Sequence, residues 1–142
     1  MGKMTLDFEF EFDFHLLGIS CHQSDYRLAW IINQALEIDL ERKEDIDLML
    51  GKNKEEHGLF SFYHYDNEEN YTTINLISNR CEKGNYCGEL KQLDYFLQLW
   101  LPESEEEDGT KSIISKLRTS PHINAVIDID VESLKSKNNF IL

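Results

Sequence analysis

Between residues 6 and 16 the chain alternates without a break. Leu6, Phe8, Phe10, Phe12, Phe14 and Leu16 are apolar, and Asp7, Glu9, Glu11, Asp13 and His15 stand between them. Successive side chains of an extended strand point to opposite faces, so this period of two predicts a strand with one buried and one wetted face. The phase slips at Leu17-Gly18, which predicts a bulge or bend. The chain is thus committed to a sheet with a face to cover.

The remaining patterns supply the cover. Leu28, Ile31, Ile32, Ala35 and Leu36 recur at helical spacing, behind Ser24 or Asp25 as a cap, and Tyr26 and Trp30 are expected to extend the packed face. Residues 40–50 read as a weaker helix or loop. Residues 59–65 and 71–78 read as strands joined by a hairpin turn at 66–70. After an irregular stretch, a strand over about 93–101 ends at Pro102. The block 102–109 carries Glu103, Glu105, Glu106, Glu107 and Asp108, and is expected to be an acidic mobile loop. Residues 110–119 predict a short helix with Ile113, Ile114 and Leu117 on one side. On a last strand Ile123, Ala125, Ile127, Ile129 and Val131 are expected to face inward, and Phe140-Ile141-Leu142 to fold back onto the sheet. The order β-α-β-β-β-α-β predicts one α+β domain over residues 1–142. Its expected form is an antiparallel sheet of about five strands with two helices on one face, in a ferredoxin-like or ACT-like layout.

Composition narrows the partners. A chain of 142 residues with 27 acidic and 14 basic side chains has a formal net charge of −13. Nucleic-acid binding needs a cationic face, and the lysines and arginines here are scattered singly, so nucleic acid and anionic membrane surfaces are poor partners. No apolar run approaches the roughly 20 residues a bilayer requires. The acidic, alternating start is unlike a signal peptide, so the protein is expected in the cytoplasm. Three cysteines, Cys21, Cys81 and Cys87, then read as reduced thiols, and neither a metal nor a cofactor is expected.

The run Cys87-Gly88-Glu89-Leu90-Lys91-Gln92-Leu93-Asp94-Tyr95 resembles the signature of the IPExxxVDY family of small bacterial proteins. Glu89, Asp94 and Tyr95 match at the family's spacing, Leu93 replaces its Val, and Cys87-Gly88 stand where the family has Ile-Pro. Residues 12–20, followed by Asp25-Tyr26-Arg27-Leu28-Ala29-Trp30, are similar to the family's N-terminal half. Asn79-Arg80 and Leu134-Lys135-Ser136 echo it more faintly. The resemblance covers nearly the whole chain and implies a bacterial protein, but no particular activity. Read from its own residues, the motif is architectural. Leu90 and Leu93 pack a turn on the core, Tyr95 points inward, and Glu89 and Asp94 accept backbone N–H bonds that close the turn. The competing reading makes Glu89 and Asp94 an acid–base pair, which requires both carboxylates to converge at a cleft.

Other chemistry is sparse. Cys21 and His22 are adjacent on an extended chain and point apart, so they form a poor nucleophile and base. His15, His57, His64 and His122 lack ligand spacing, and no phosphate loop or nucleophile elbow is present. The candidate interaction face is a sheet surface carrying Asp7, Glu9, Glu11, Asp13, Asp128 and Asp130 together with Phe96 and Trp100. Its expected role is non-enzymatic binding of a protein partner or a second copy of the chain. A regulatory domain of ACT-like type that binds a small molecule, and an enzyme with an unrecognised site, stand beside it as alternatives.

Overall fold

The computed structural model describes residues 13–142. The alternating residues Leu6, Phe8, Phe10 and Phe12, and with them Asp7, Glu9 and Glu11, lie outside the described residues. The chain is α+β. In order it forms β1 (His15–Ser20), α1 (Asp25–Leu36), β2 (Glu41–Leu50), β3 (Glu56–Asn67), β4 (Thr72–Ser78), the two-residue strands β5 (Arg80–Cys81) and β6 (Gly84–Asn85), β7 (Tyr95–Trp100), α2 (Glu106–Arg118) and β8 (Ala125–Ile129). Six strands make one sheet in the order β2-β3-β4-β7-β1-β8, every neighbouring pair antiparallel.

The sheet is buried on both faces, which the alternation in β1 does not anticipate. Leu17 and Ile19 point to the helices, where Leu28, Ala29, Ile31 and Ile32 of α1 and Leu117 of α2 meet Leu76, Leu97 and Leu99. Leu16 points the other way, into a second cluster with Phe60, Ile77, Phe96, Tyr86, Val131, Leu134 and Phe140. The apparent phase slip at Leu17-Gly18 is therefore no bulge. Pairing with β7 and β8 runs through both residues without a shift, and consecutive apolar residues are what a strand covered on both sides requires. Gly18 leaves the space in which the side chains of Leu93 and Ile129 sit.

Three further expectations need correcting. Residues 40–50 form the edge strand β2 rather than a helix or loop, which raises the strand count to six. Lys43 pairs with Phe62 and Ile46 with Phe60, so one extra residue is inserted between them. That bulge reverses the phase of the alternation Ile46-Leu48-Leu50 relative to what precedes it. The acidic block at 102–109 is built into structure. Glu103–Glu105 is a 3-10 turn, and Glu106, Glu107 and Asp108 form the first turn of α2. Carboxylates there face the positive end of the helix dipole, which offsets their mutual repulsion. On β8, register sets Val126 opposite Ile19 on the helix side, where it is buried, and Ile127 opposite Gly18 on the other side, where it is 45% exposed at the sheet edge.

The second apolar layer is supplied by the tail. Phe140 stands edge-on to Phe96 and to Tyr86, with ring centroids 5.1 and 5.3 Å apart, and is itself fully buried. The Gln98 side-chain amide donates to the Phe140 carbonyl at 2.8 Å, and the Tyr86 hydroxyl donates to the Asn139 carbonyl. Phe140→Ala should therefore empty the centre of this layer and cost about 3–5 kcal/mol, as core Phe truncations do. Chemical denaturation checks this, and a loss below about 1 kcal/mol would mean that the tail does not complete the core.

Candidate functional site

The motif residues occupy the approach to β7. Gly88–Leu90 is one 3-10 turn, after which Leu93 and Tyr95 enter the core. The organiser is Asn79, which is fully buried. Its side-chain amide donates to the carbonyls of Leu90 at 2.9 Å and Leu93 at 2.8 Å, and its side-chain oxygen accepts from the Cys87 N–H at 2.8 Å. One side chain thus takes the place of a ladder across the whole turn. Tyr95 points inward, and its hydroxyl donates to the Gln23 carbonyl at 2.6 Å.

Glu89 and Asp94 work over longer range than a turn closure. Glu89 accepts from the backbone N–H groups of Lys135 and Ser136 and, at 2.6 Å, from the Ser136 hydroxyl. It pins the tail segment to the motif. Asp94 accepts from the Cys21 N–H at 2.8 Å and pairs with Arg80 at 2.9 Å, tying β7 to the end of β1. The two carboxylates engage different partners on different elements, Glu89 also accepting from the buried Cys87 thiol at 3.5 Å. Partial burial alone would raise the pKa of Glu89, but the hydrogen bonds from Ser136 and Lys135 outweigh it and hold the carboxyl at about 2.

Cys21 and Cys87 are buried thiols held in the protonated form. Burial pushes the Cys87 pKa up to about 12, with the Glu89 carboxylate adding to the effect, and burial raises that of Cys21 as well. The Cys21 thiol donates to the His122 carbonyl at 3.2 Å, while His22 is exposed. A protonated, buried thiol is a poor nucleophile. No group of three or more His, Cys, Asp or Glu among the described residues could hold a metal ion. No helix among them is long and apolar enough to cross a membrane.

The acidic and aromatic surface does not assemble as one face. Register places Asp128 opposite Leu17, on the helix side, while Gln98 opposite Leu16 and Phe96 opposite Gly18 lie on the tail side with Trp100. Asp13, Asp128 and Asp130 are exposed, but Phe96 is fully buried under Phe140 and cannot meet a partner. Trp100 is 38% exposed, and its ring rests 5.2 Å from that of Phe14.

An aromatic surface does exist, in a place the pattern reading assigned to the core. Tyr26 is 70% and Trp30 57% exposed on α1. Counting about 100° per residue, Trp30 lies about 200° from Leu28 around the helix, which puts it on the outer side. Tyr26 is one turn away on that same side. Arg27 lies over the Trp30 ring, its guanidinium carbon 5.8 Å from the centroid. Asp25, at the foot of the helix, accepts from Arg42 at 3.2 Å, and Arg42 in turn covers the Tyr63 ring. The patch therefore stands on a helix anchored at its start. No family model matches the chain, and no curated protein or solved structure matches it either.

Two outcomes test this geometry. Asn79→Ala should cost about 2–4 kcal/mol in a denaturation midpoint analysis, because it takes their Asn79 partner from the Leu93 carbonyl and the Cys87 N–H and leaves the Leu90 carbonyl only the Leu93 N–H. For Glu89, a folded pKa below the ordinary value of 4.5 means that its stabilisation is complete above about pH 4.5 and is lost as pH falls toward 2. Urea midpoints measured between pH 5 and pH 2 should fall less steeply for Glu89→Gln than for the wild type. Equal slopes would show that Glu89 does not tie down the tail.

Proposed function

We propose that the protein is a non-enzymatic binding domain that captures a protein partner through the outer side of α1. The observation that carries this is the exposure of Tyr26 and Trp30, one turn apart, with Arg27 laid over the indole. Tyr, Trp and Arg are the residues that dominate binding energy at protein interfaces, and a helix holds them rigidly at little entropic cost. The surrounding charge of −13 favours a partner whose apolar pocket has a basic rim. A second copy of the chain repels its twin, so homodimerisation across this patch is the weaker form of the reading.

The resemblance to the IPExxxVDY family belongs to the same proposal. It is supported by the way its separate stretches meet in space, with Asn79 and Arg80 gripping the motif turn, and Lys135 and Ser136 binding Glu89. On this reading the motif is a structural clasp and not an acid–base site. The layout of four strands, β8-β1-β7-β4, supports a ferredoxin-like framework, extended beyond β4 by the hairpin β2–β3.

The binding reading predicts that an immobilised chain retains a specific protein at low salt, more weakly at high salt. A Tyr26→Ala, Trp30→Ala double variant should lose that protein while keeping its melting temperature within a few degrees, since neither side chain is in the core. Undiminished capture by the variant would remove α1 from the interface. Sedimentation velocity on both proteins separates a partner from self-association.

A further inference from the structure

The tail covers only part of its side of the sheet. Beyond Phe140 a groove of about 660 Å³ crosses β2, β3, β4 and β7, within the range of about 300–1,000 Å³ typical of small-molecule sites. Its floor is a row of polar side chains in directly opposed cross-strand positions, His64, Asn75 and Gln98. Such a row is costly in a sheet interior unless every group is satisfied. His64 Nδ1 lies 2.7 Å from Asn75 Oδ1, the Asn75 amide donates to Gln98 Oε1 at 2.7 Å, and the Gln98 amide donates to the Phe140 carbonyl.

That chain has one direction. The Phe140 carbonyl can only accept, so Gln98 donates to it and accepts from Asn75, and Asn75 accepts from His64. His64 must then carry its proton on Nδ1, which leaves Nε2 as the end of the row. Holding the tail requires Gln98 alone. Asn75 and His64 extend the row outward, into the groove, and fix the imidazole there.

The walls complete a chemical description. Phe62 and Trp100 are apolar and aromatic. Lys43 stands at the rim, opposite Phe62, with Glu41 3.6 Å away as an exposed and therefore weak partner. Among the described residues no acidic side chain lines this groove itself, and Glu41 stands at its border, opposite His64. We infer that the groove binds a small carboxylic acid with an aromatic-sized apolar body, the body lying between Trp100 and Phe62 and the carboxylate meeting the Lys43 ammonium. This goes beyond the partner surface on α1, which lies across the sheet on the helix side, and rests on separate residues.

The test is a titration followed through the side-chain amide NMR signals of Asn75 and Gln98, with three probes that share one apolar body: 3-phenylpropionate, 3-phenylpropionamide and 3-phenylpropylamine. The acid should shift both amides saturably, the neutral amide more weakly, and the amine not at all. Lys43→Gln should weaken the acid about tenfold, the scale of one charge-assisted contact, and leave the neutral amide unchanged. A second variant, Trp100→Ala, should weaken acid and neutral amide alike. The inference is overturned if the acid leaves Asn75 and Gln98 unmoved up to its solubility limit. It is equally overturned if all three probes bind alike, or if Lys43→Gln does not discriminate between them.

Discussion

A central strand with apolar residues on both faces needs two covers, and this requirement organises the whole molecule. Leu16 and Leu17 in β1, and Phe96 and Leu97 in β7, are adjacent pairs that are all fully buried. The helices account for one member of each pair. The other member must be covered by chain that forms no helix or long strand, and here that chain is the turn around Tyr86 and the tail carrying Val131, Leu134 and Phe140. Irregular chain brings unpaired backbone groups with it, and buried ones must find partners. The polar side chains that look like chemistry in the sequence are largely those partners.

Glu89 illustrates the distinction. A carboxylate with a lowered pKa is often read as a functional group, but the cause here is that its oxygens collect donors from the 135–136 segment. The hydrogen bonds stabilise the charged form, so the group stays ionised and does not exchange protons near neutrality. Asp94 does comparable work at the other end of the turn, on Cys21 and Arg80. An acid–base pair needs two carboxyls whose environments push them apart in pKa around one cleft. These two are separated by their partners, and each is spent on holding one element against another.

Much of the framework was legible in the sequence, and each failure has a physical reason. The hairpin of β3 and β4, the strand β7 and the inner stripe of α1 follow from periodicity and turn chemistry, and the folding back of Phe140 from the apolar end of the chain, of which Ile141 and Leu142 stay exposed. β2 was hidden because its bulge between Lys43 and Ile46 reverses the alternation midway. The acidic block looks like a loop in sequence because the helix start that offsets its repulsion is set by tertiary structure. Tyr26 and Trp30 are apolar and so suggest an inward face by residue type, while their angular positions on the helix place them outside. The split of Asp128 from Trp100 was not legible, since it depends on register between strands distant in sequence. Asn79 carried no signal beyond a faint resemblance, because a buried carboxamide is recognised by what surrounds it.

The distribution of charge connects these observations to function. The formal net charge of −13 sets a negative background around the molecule. Against that background the outer side of α1 and the groove beside Trp100 stand out for the same reason. Each combines aromatic rings with a basic side chain, Arg27 in one and Lys43 in the other. The two differ in shape. The helix surface is convex and rigid, suited to insertion into a partner's pocket, whereas the groove is concave with a satisfied polar floor, suited to a small molecule. They also differ in their coupling to the fold. Tyr26 and Trp30 touch little of the core, but the groove floor is continuous with Gln98, and Gln98 holds the Phe140 carbonyl. The groove floor thus shares Gln98 with the anchoring of the tail.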